Sequence, residues 1–265
     1  MTFPEMFAAT AGAGRAAFLP YLMAGLPDLD ASVELFLALD ESGADGFEVG
    51  LPYADPLMDG PVIQEAGARA LAAGTSVADG LRVAGEVAGR TGKPCAVMTY
   101  TNPVLRVGVD SFAAMAADRG VAALILADLP VDEAAPFVAA AAARGVGMVL
   151  FAAPTTSERR LRQVVDAGPV FVYGVAEMGV TGERAAASEW ASGMAARVRA
   201  ATDLPLVFGV GIATPEAAAA AAGMADGVIV GTALVRRVLE ATDHPAAVAA
   251  LAGAGRAFSE AMAGS

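Results

Sequence analysis

Three residue types that carry much of enzyme chemistry are almost missing from this 265-residue chain. There is one cysteine, Cys95, which excludes an internal disulfide and a cysteine-built metal cluster. There is one histidine, His244, followed by Pro245 near the C-terminus, so a His-rich metal site is not expected. There is one lysine, Lys93, among many arginines. Long apolar runs are also missing. Apolar residues make up 56% of the chain, but alanine inflates that figure, and no run reaches the roughly 18 residues of a membrane span. The start, MTFPEMFAAT, has neither the basic residues nor the continuous apolar stretch of a secretory signal, and a cytoplasmic protein is expected. Positive charge is scarce: the formal net charge is −12, which argues against a nucleic-acid partner. A small phosphorylated substrate stays open, because backbone N–H groups at helix N-termini hold phosphate without Lys or Arg. Chemistry in such a chain must run mainly on carboxylates, tyrosines and backbone dipoles.

What is present is a rhythm. Short apolar runs alternate with alanine-rich stretches of helical spacing, such as SVELFLALDESG and AAPFVAAAAARG. Eight runs read as strands: 18–23, 46–49, 95–98, 122–126, 147–151, 170–173, 206–210 and 227–230. Strands that alternate with helices pair in parallel. Eight of them at uneven spacing fit a closed (β/α)₈ barrel, and the length is close to the roughly 250 residues typical of one. No linker or charge run divides the chain, so residues 1–265 are read as a single barrel domain. The first residues are expected to form a helix that caps the barrel bottom. The connection from the second strand to the third is the longest, with room for an active-site loop before its helix.

In such barrels the chemistry lies at the C-terminal ends of the strands. Lys93 precedes the third strand and so falls at the bottom. Asp55 and Asp59 follow the second strand, Tyr100 and Asn102 the third, and Asp128 the fourth. All four tyrosines, Tyr21, Tyr53, Tyr100 and Tyr173, fall at or near the top, which rim packing alone could also produce. Glu48 sits inside an apolar strand, GFEVG. It is either a strand-end carboxylate at the rim, one paired with an arginine, or an inward-pointing acid whose burial raises its pKa. Asp59 lies in LPYADPLMDGPVIQ, where the prolines and the D-G-P turn make an ordered loop. It either shapes the turn or swings a carboxylate over the barrel mouth. Three glycine-bearing turns, MGVTGE (178–183), GVGIATPE (209–216) and VGTALVR (230–236), follow late strands, where barrels of this kind commonly bind phosphate. Each alone is ordinary punctuation; together they point to a phosphorylated substrate. T-P-E at 214–216 reads as an N-cap with Pro at the first helical position.

The segment EVGLPYADPLMDGPVIQ (48–64) resembles the signature segment of tryptophan synthase α chains. The resemblance continues, in order, through MTYTNPV, ADLPVDEA, FVYGVAEMGVTG, FGVGIATPE and GVIVGTALV, and so covers nearly the whole chain. It implies that Glu48 and Asp59 are the catalytic carboxylates and that Tyr173 stands beside the glutamate. It places Tyr21, Met98, Tyr100, Ala127 and Phe151 around an indole pocket. It puts Thr181, Gly182, Gly211, Gly231 and Thr232 in loops that close on the substrate or bind its phosphate. It sets Asp55, Pro56 and Asn102 near a β subunit, within an α₂β₂ heterotetramer. No cofactor is implied in this chain; pyridoxal phosphate belongs to the β partner. Glu177 and Met178 stand where an Arg-Ser pair is usual, Val210 where an aromatic is, Ala54 where a serine is, and Thr232 where serine is common.

The implied reaction is retro-aldol cleavage of indole-3-glycerol phosphate to indole and D-glyceraldehyde 3-phosphate, a step of tryptophan biosynthesis. With Lys93 on the wrong face for a Schiff base, the indole ring itself serves as electron sink. A free-standing lyase that releases indole would share every one of these catalytic residues. An inactive barrel kept as an allosteric subunit would not need both Glu48 and Asp59. A sugar-phosphate isomerase or epimerase fits the glycine turns but not the 48–64 segment.

Overall fold

The computed structural model describes residues 1–175 and 184–264, apart from the side chains of 184–190. The expectations for Thr181 and Gly182, and the Glu177–Met178 pair, lie outside the described residues.

Eight parallel strands close on themselves in sequence order. They are β1 (Ala17–Met23), β2 (Phe47–Gly50), β3 (Cys95–Thr99), β4 (Ala123–Leu126), β5 (Gly147–Ala152), β6 (Val172–Gly174), β7 (Leu206–Phe208) and β8 (Gly227–Val230). Closure is made by β1 against β8, with Ala17 opposite Gly227 and Pro20 opposite Val230. All eight lie within a few residues of the runs read from the sequence. They are buried almost throughout, as strands packed on both faces must be, so hydrophobic runs mark them rather than alternation.

Around the barrel run α1 (Phe3–Gly12), α2 (Leu29–Asp40), α3 (Pro61–Ala72), α4 (Val77–Thr91), α5 (Thr101–Val107), α6 (Val109–Ala117), α7 (Ala135–Ala142), α8 (Glu158–Asp166), α9 (Arg184–Ala201), α10 (Pro215–Ala222), α11 (Thr232–Glu240) and α12 (His244–Ala263). The cap at the N-terminus of the chain is α1. It starts with a capping box in which Thr2 and Glu5 satisfy each other's backbone N–H groups, and Pro4 lies in its first turn. Its Phe3 and Phe7 meet Phe171 edge-on at the barrel floor, with ring centroids 5.4 and 5.7 Å apart. Each buried phenylalanine contributes roughly 1.5–3 kcal/mol. Lys93 is at that same end, with its ammonium bonded to the Ala44 carbonyl at 2.6 Å and to Asp40.

The connection from β2 to β3 departs from expectation. It holds two helices, α3 and α4, not one. Gly74 at φ +88° ends the first, and a Ser76–Asp79 capping box starts the second. Thr214 caps α10 as expected, accepting from the Ala217 N–H, with Pro215 next to it.

Alternation along each strand decides what faces the barrel interior. Phe47 of β2 points outward to Phe36 of α2, with ring centroids 5.7 Å apart. Its neighbour Glu48 therefore points inward. On β1, Phe18 packs outward against Phe258 of α12, and Tyr21, three residues on, faces the interior. Just before β6, Phe171 meets α1 at the floor, so Tyr173 occupies the same inward line one step higher.

Candidate active site

A cavity of about 140 Å³ opens at the C-terminal ends of the strands. Tyr21, Glu48, Met98 and Tyr173 form its floor and walls, and Asp59, Gly211, Gly231 and Thr232 stand at its rim. With Val210, the structure thus brings together nine of the residues named in the sequence, from six different strands or the loops after them.

Glu48 is 2% exposed, and neither carboxylate oxygen has a hydrogen-bond partner among the described residues. The rim and the arginine-paired alternatives for Glu48 are both set aside by that environment. Burial in a largely apolar wall disfavours the charged form, and the nearby negative charge of Asp59 adds to it, raising the Glu48 pKa to about 8. A carboxyl in this state is an acid near neutral pH and becomes a base once its proton is gone.

Asp59 reaches the cavity from the loop after β2. Its own N–H bonds to the Pro56 carbonyl at 3.0 Å, and Gln64 on α3 donates to its carbonyl at 2.8 Å. Gly60 and Pro61 then start the helix. Burial raises the Asp59 carboxyl to about 6, partly countered by a hydrogen bond from the Tyr100 hydroxyl. Asp59 therefore does more than shape its turn: its side chain faces the cavity.

The tyrosines divide into two pairs. Tyr21 lies opposite Glu48 in register on the neighbouring strand, and Tyr173 faces the same space. Burial and the negative charge around them hold both phenols well above the usual tyrosine range, so they are neutral donors. Phe151 backs Tyr173 at 5.0 Å between centroids but does not itself line the cavity. Tyr53 and Tyr100 form the second pair, with rings 5.1 Å apart, beside the Asp59 loop. Ala127 lies just past β4 and bonds to the Thr99 carbonyl; it too is away from the cavity lining. Asp55 and Asn102 are exposed on the upper face, and Pro56 is partly so.

The rim opposite Asp59 is made by two glycine turns. Gly211 adopts φ +76°, open to glycine at little cost. Gly231 precedes α11, and no side chain caps that helix. Gly231 and Thr232, at the start of that helix, line the cavity, where the helix dipole favours an anion. Among the described residues, no Lys or Arg lines this space.

The sequence reading did not single out Met58, Gly60, Ile63 or Ile229, which also line the cavity. It placed Gly209 in a glycine turn, but the structure gives that residue a further reason: a Cβ there would overlap the ring and hydroxyl of Tyr173.

The family model described as tryptophan synthase alpha chain matches residues 7–262. The tryptophan synthase alpha chain of Streptomyces avermitilis is 46% identical over 252 residues, covering 94% of this chain and 91% of that one. The Streptomyces coelicolor protein of the same name is 45% identical, covering 91% and 89%. Among solved structures, a chain of Mycobacterium tuberculosis tryptophan synthase superposes with a TM-score of 0.89 at 39% identity, covering 98% of this chain and 97% of that one. Tryptophan synthase subunit alpha from Legionella pneumophila gives 0.90 at 31% identity, covering 99% and 98%. A buried acid, a loop aspartate and an uncapped helix N-terminus around one barrel mouth, together with these likenesses along nearly the whole chain, show that the protein belongs to the tryptophan synthase α-chain family.

Proposed function

We propose that the cavity cleaves indole-3-glycerol phosphate to indole and D-glyceraldehyde 3-phosphate, with Glu48 as proton carrier and Asp59 as the partner of the indole nitrogen. One observation carries the assignment of roles: Glu48 is buried without a partner among the described residues, protonated at neutral pH, and faces the same cavity as a more acidic carboxylate. Two carboxyls with pKa values held apart divide acid and base work.

The steps follow from those states. Glu48 gives its proton to C3 of the indole ring, which becomes an indolenine cation. Asp59, ionised above about pH 6, accepts from the ring N–H and stabilises the positive charge. Glu48, now a carboxylate, takes the proton from the hydroxyl on the carbon attached to C3. That carbon becomes the aldehyde, the bond to C3 breaks, and its electron pair restores the indole ring. Tyr21 and Tyr173, neutral phenols beside Glu48, stabilise its transient charge. The substrate phosphate sits against the backbone of Gly211, Gly231 and Thr232 at the start of α11; this fixes orientation and supplies much of the catalytic advantage.

No cofactor in this chain takes part in these steps. The chain works as the α subunit of an α₂β₂ assembly, in the cytoplasm, and the pyridoxal-phosphate β chain consumes the indole. Asp55, Pro56 and Asn102 support that reading, because they share the face where Leu57 and Leu105 are exposed. No helix among the described residues is long and apolar enough to cross a membrane. The test is indole release by the pure chain with Glu48→Gln and Asp59→Asn beside the wild type. Near-normal turnover by either folded variant rules out its assigned role.

A further inference from the structure

A carboxylate on an irregular loop needs supporting groups if its geometry is to serve chemistry. Tyr100 supplies them. It is buried at the junction of β3 and α5, and its hydroxyl accepts a hydrogen bond from the Met58 N–H at 3.1 Å. The same hydroxyl keeps its own proton, faces the Asp59 carboxylate and lowers its pKa. One phenol thus holds Met58 by a hydrogen bond and favours the ionised form of the residue that follows it.

The phenol is itself held on two sides. The Tyr53 ring lies against it, and the Tyr53 hydroxyl accepts from the Asn102 amide at 2.9 Å. As N-cap of α5, Tyr100 makes no side-chain cap bond. Asp128, beyond the end of β4, caps the helix in its place. The Asp128 carboxylate accepts from the Thr101 N–H at 2.8 Å and from the Thr101 hydroxyl at 2.9 Å. A residue from the next strand thereby fixes the backbone from which Tyr100 projects.

The geometry points to Tyr100 as a positioning residue for the cleavage reaction: it acts through Asp59, clasping the loop so that the carboxylate stays over the cavity, with Asp128 and Tyr53 holding the phenol in place. The inference rests on the reading of Asp59 as the group beside the indole nitrogen. Its electrostatic consequence has a definite sign. Burial works against ionised Asp59, which shares its space with Glu48 from β2, Tyr21 from β1 and Tyr173 from β6, while Asp128 faces Tyr100 from β4. Among the described cavity residues no cation offsets them. Tyr100 is the group that lowers the Asp59 pKa, so loss of its hydroxyl must raise it.

Tyr100→Phe in the full chain keeps the ring and loses the hydroxyl that binds Met58 and faces Asp59. The acid limb of the kcat/KM profile should then move upward by about one pH unit. Activity should be lost most at pH 6–7 and largely recovered near pH 8. Carbon-13 NMR of carboxyl-labelled aspartates, with the Asp59 signal assigned by its absence in Asp59→Asn, should show the same upward shift without substrate. Asp128→Ala leaves the phenol in place but frees its backbone; it should shift Asp59 in the same direction by less, and serves if Tyr100→Phe folds poorly. An unchanged Asp59 titration in both variants overturns the clasp, even if the rate falls. Failure of the underlying reading is seen separately: Asp59→Asn would keep its activity while the titration shift in Tyr100→Phe persisted.

Discussion

Glu48 places a carboxyl in a wall where its charged form finds no hydrogen bond among the described residues, and that choice has consequences for both rate and stability. For rate, the productive state has Glu48 protonated and Asp59 ionised. Asp59 loses its proton near pH 6 and Glu48 near pH 8, so kcat/KM of the isolated chain should rise through the first value and fall through the second. A profile flat from pH 5 to 9 would contradict the assignment. Glu48→Gln should lower turnover by at least about 10²-fold. For stability, the folded pKa of Glu48 is raised above its unfolded value of 4.5. Between about pH 4.5 and 8 the native state therefore binds more protons than the unfolded one, and stability falls as pH rises through that window. Glu48→Gln removes this slope. Its melting temperature should exceed that of the wild type by more at pH 9 than at pH 5, a difference worth a few kcal/mol; equal differences at the two pH values would count against a buried, unpartnered acid. GFEVG alone could not decide among rim, ion pair and interior. The parity of the strand does: Phe47 meets Phe36 outside, which turns residue 48 inward. Parity needs a packing partner for reference, and a single sequence does not supply one.

At the scale of elements, strand ends carry the site and turn glycines make room for it. The strands were legible because parallel strands buried on both faces read as unbroken apolar runs between helical stretches. The second helix between β2 and β3 was not read: the D-G-P turn is the louder signal of where a helix begins, and the Ser76–Asp79 capping box that starts α4 is seen only in the structure. Close approaches left no trace, since Gly209 looks like any other strand-end glycine. Its constraint is steric, not conformational, because its backbone needs no positive φ. Gly209→Ala should push Tyr173 from its place. It should cost about 1–3 kcal/mol of stability and, through misplacement of the site, roughly tenfold or more in kcat. Wild-type kcat with an unmoved Tyr173 in a crystal structure would refute this. The uncapped start of α11 makes a separate claim. Glycerol 3-phosphate or a substrate analogue should place its phosphate against the N–H groups after Gly231, with Gly211 opposite. A phosphate found in an arginine cluster away from β7 and β8 would sink the idea.

The whole molecule presents its site to one face, and that face is not finished. Leu57 is 80% exposed, Met58 65% and Leu105 59%; the first two lie on the loop that carries Asp59 and the third on α5, which follows Tyr100. Asp55 and Asn102 are exposed with them. Apolar side chains amid polar ones on the upper face fit a protein partner, and here a partner would press on the elements that position a carboxylate. Asn102 donates to Tyr53, Tyr53 packs against Tyr100, and Tyr100 holds Met58 and faces Asp59, so contact at the surface and geometry at the cavity belong to one connected set. A partner that binds better when this set is in order must raise the population of the ordered state. Indole gives such coupling a purpose: it is small and apolar, and would be lost through membranes unless consumed where it forms. The isolated chain should therefore be weakly active, and addition of a cognate β chain should raise cleavage. A coupling of about 1–3 kcal/mol corresponds to roughly 5–150-fold. Leu105→Ser and Asp55→Ala should raise the β-chain concentration needed for half-maximal activation while leaving the rate of the isolated chain nearly unchanged. Asn102→Ala, which also breaks the bond to Tyr53, should lower the maximal activation as well. If the isolated chain is already fully active and saturating β chain changes nothing, the enzyme works alone as an indole-releasing lyase, and the exposed leucines need another occupant.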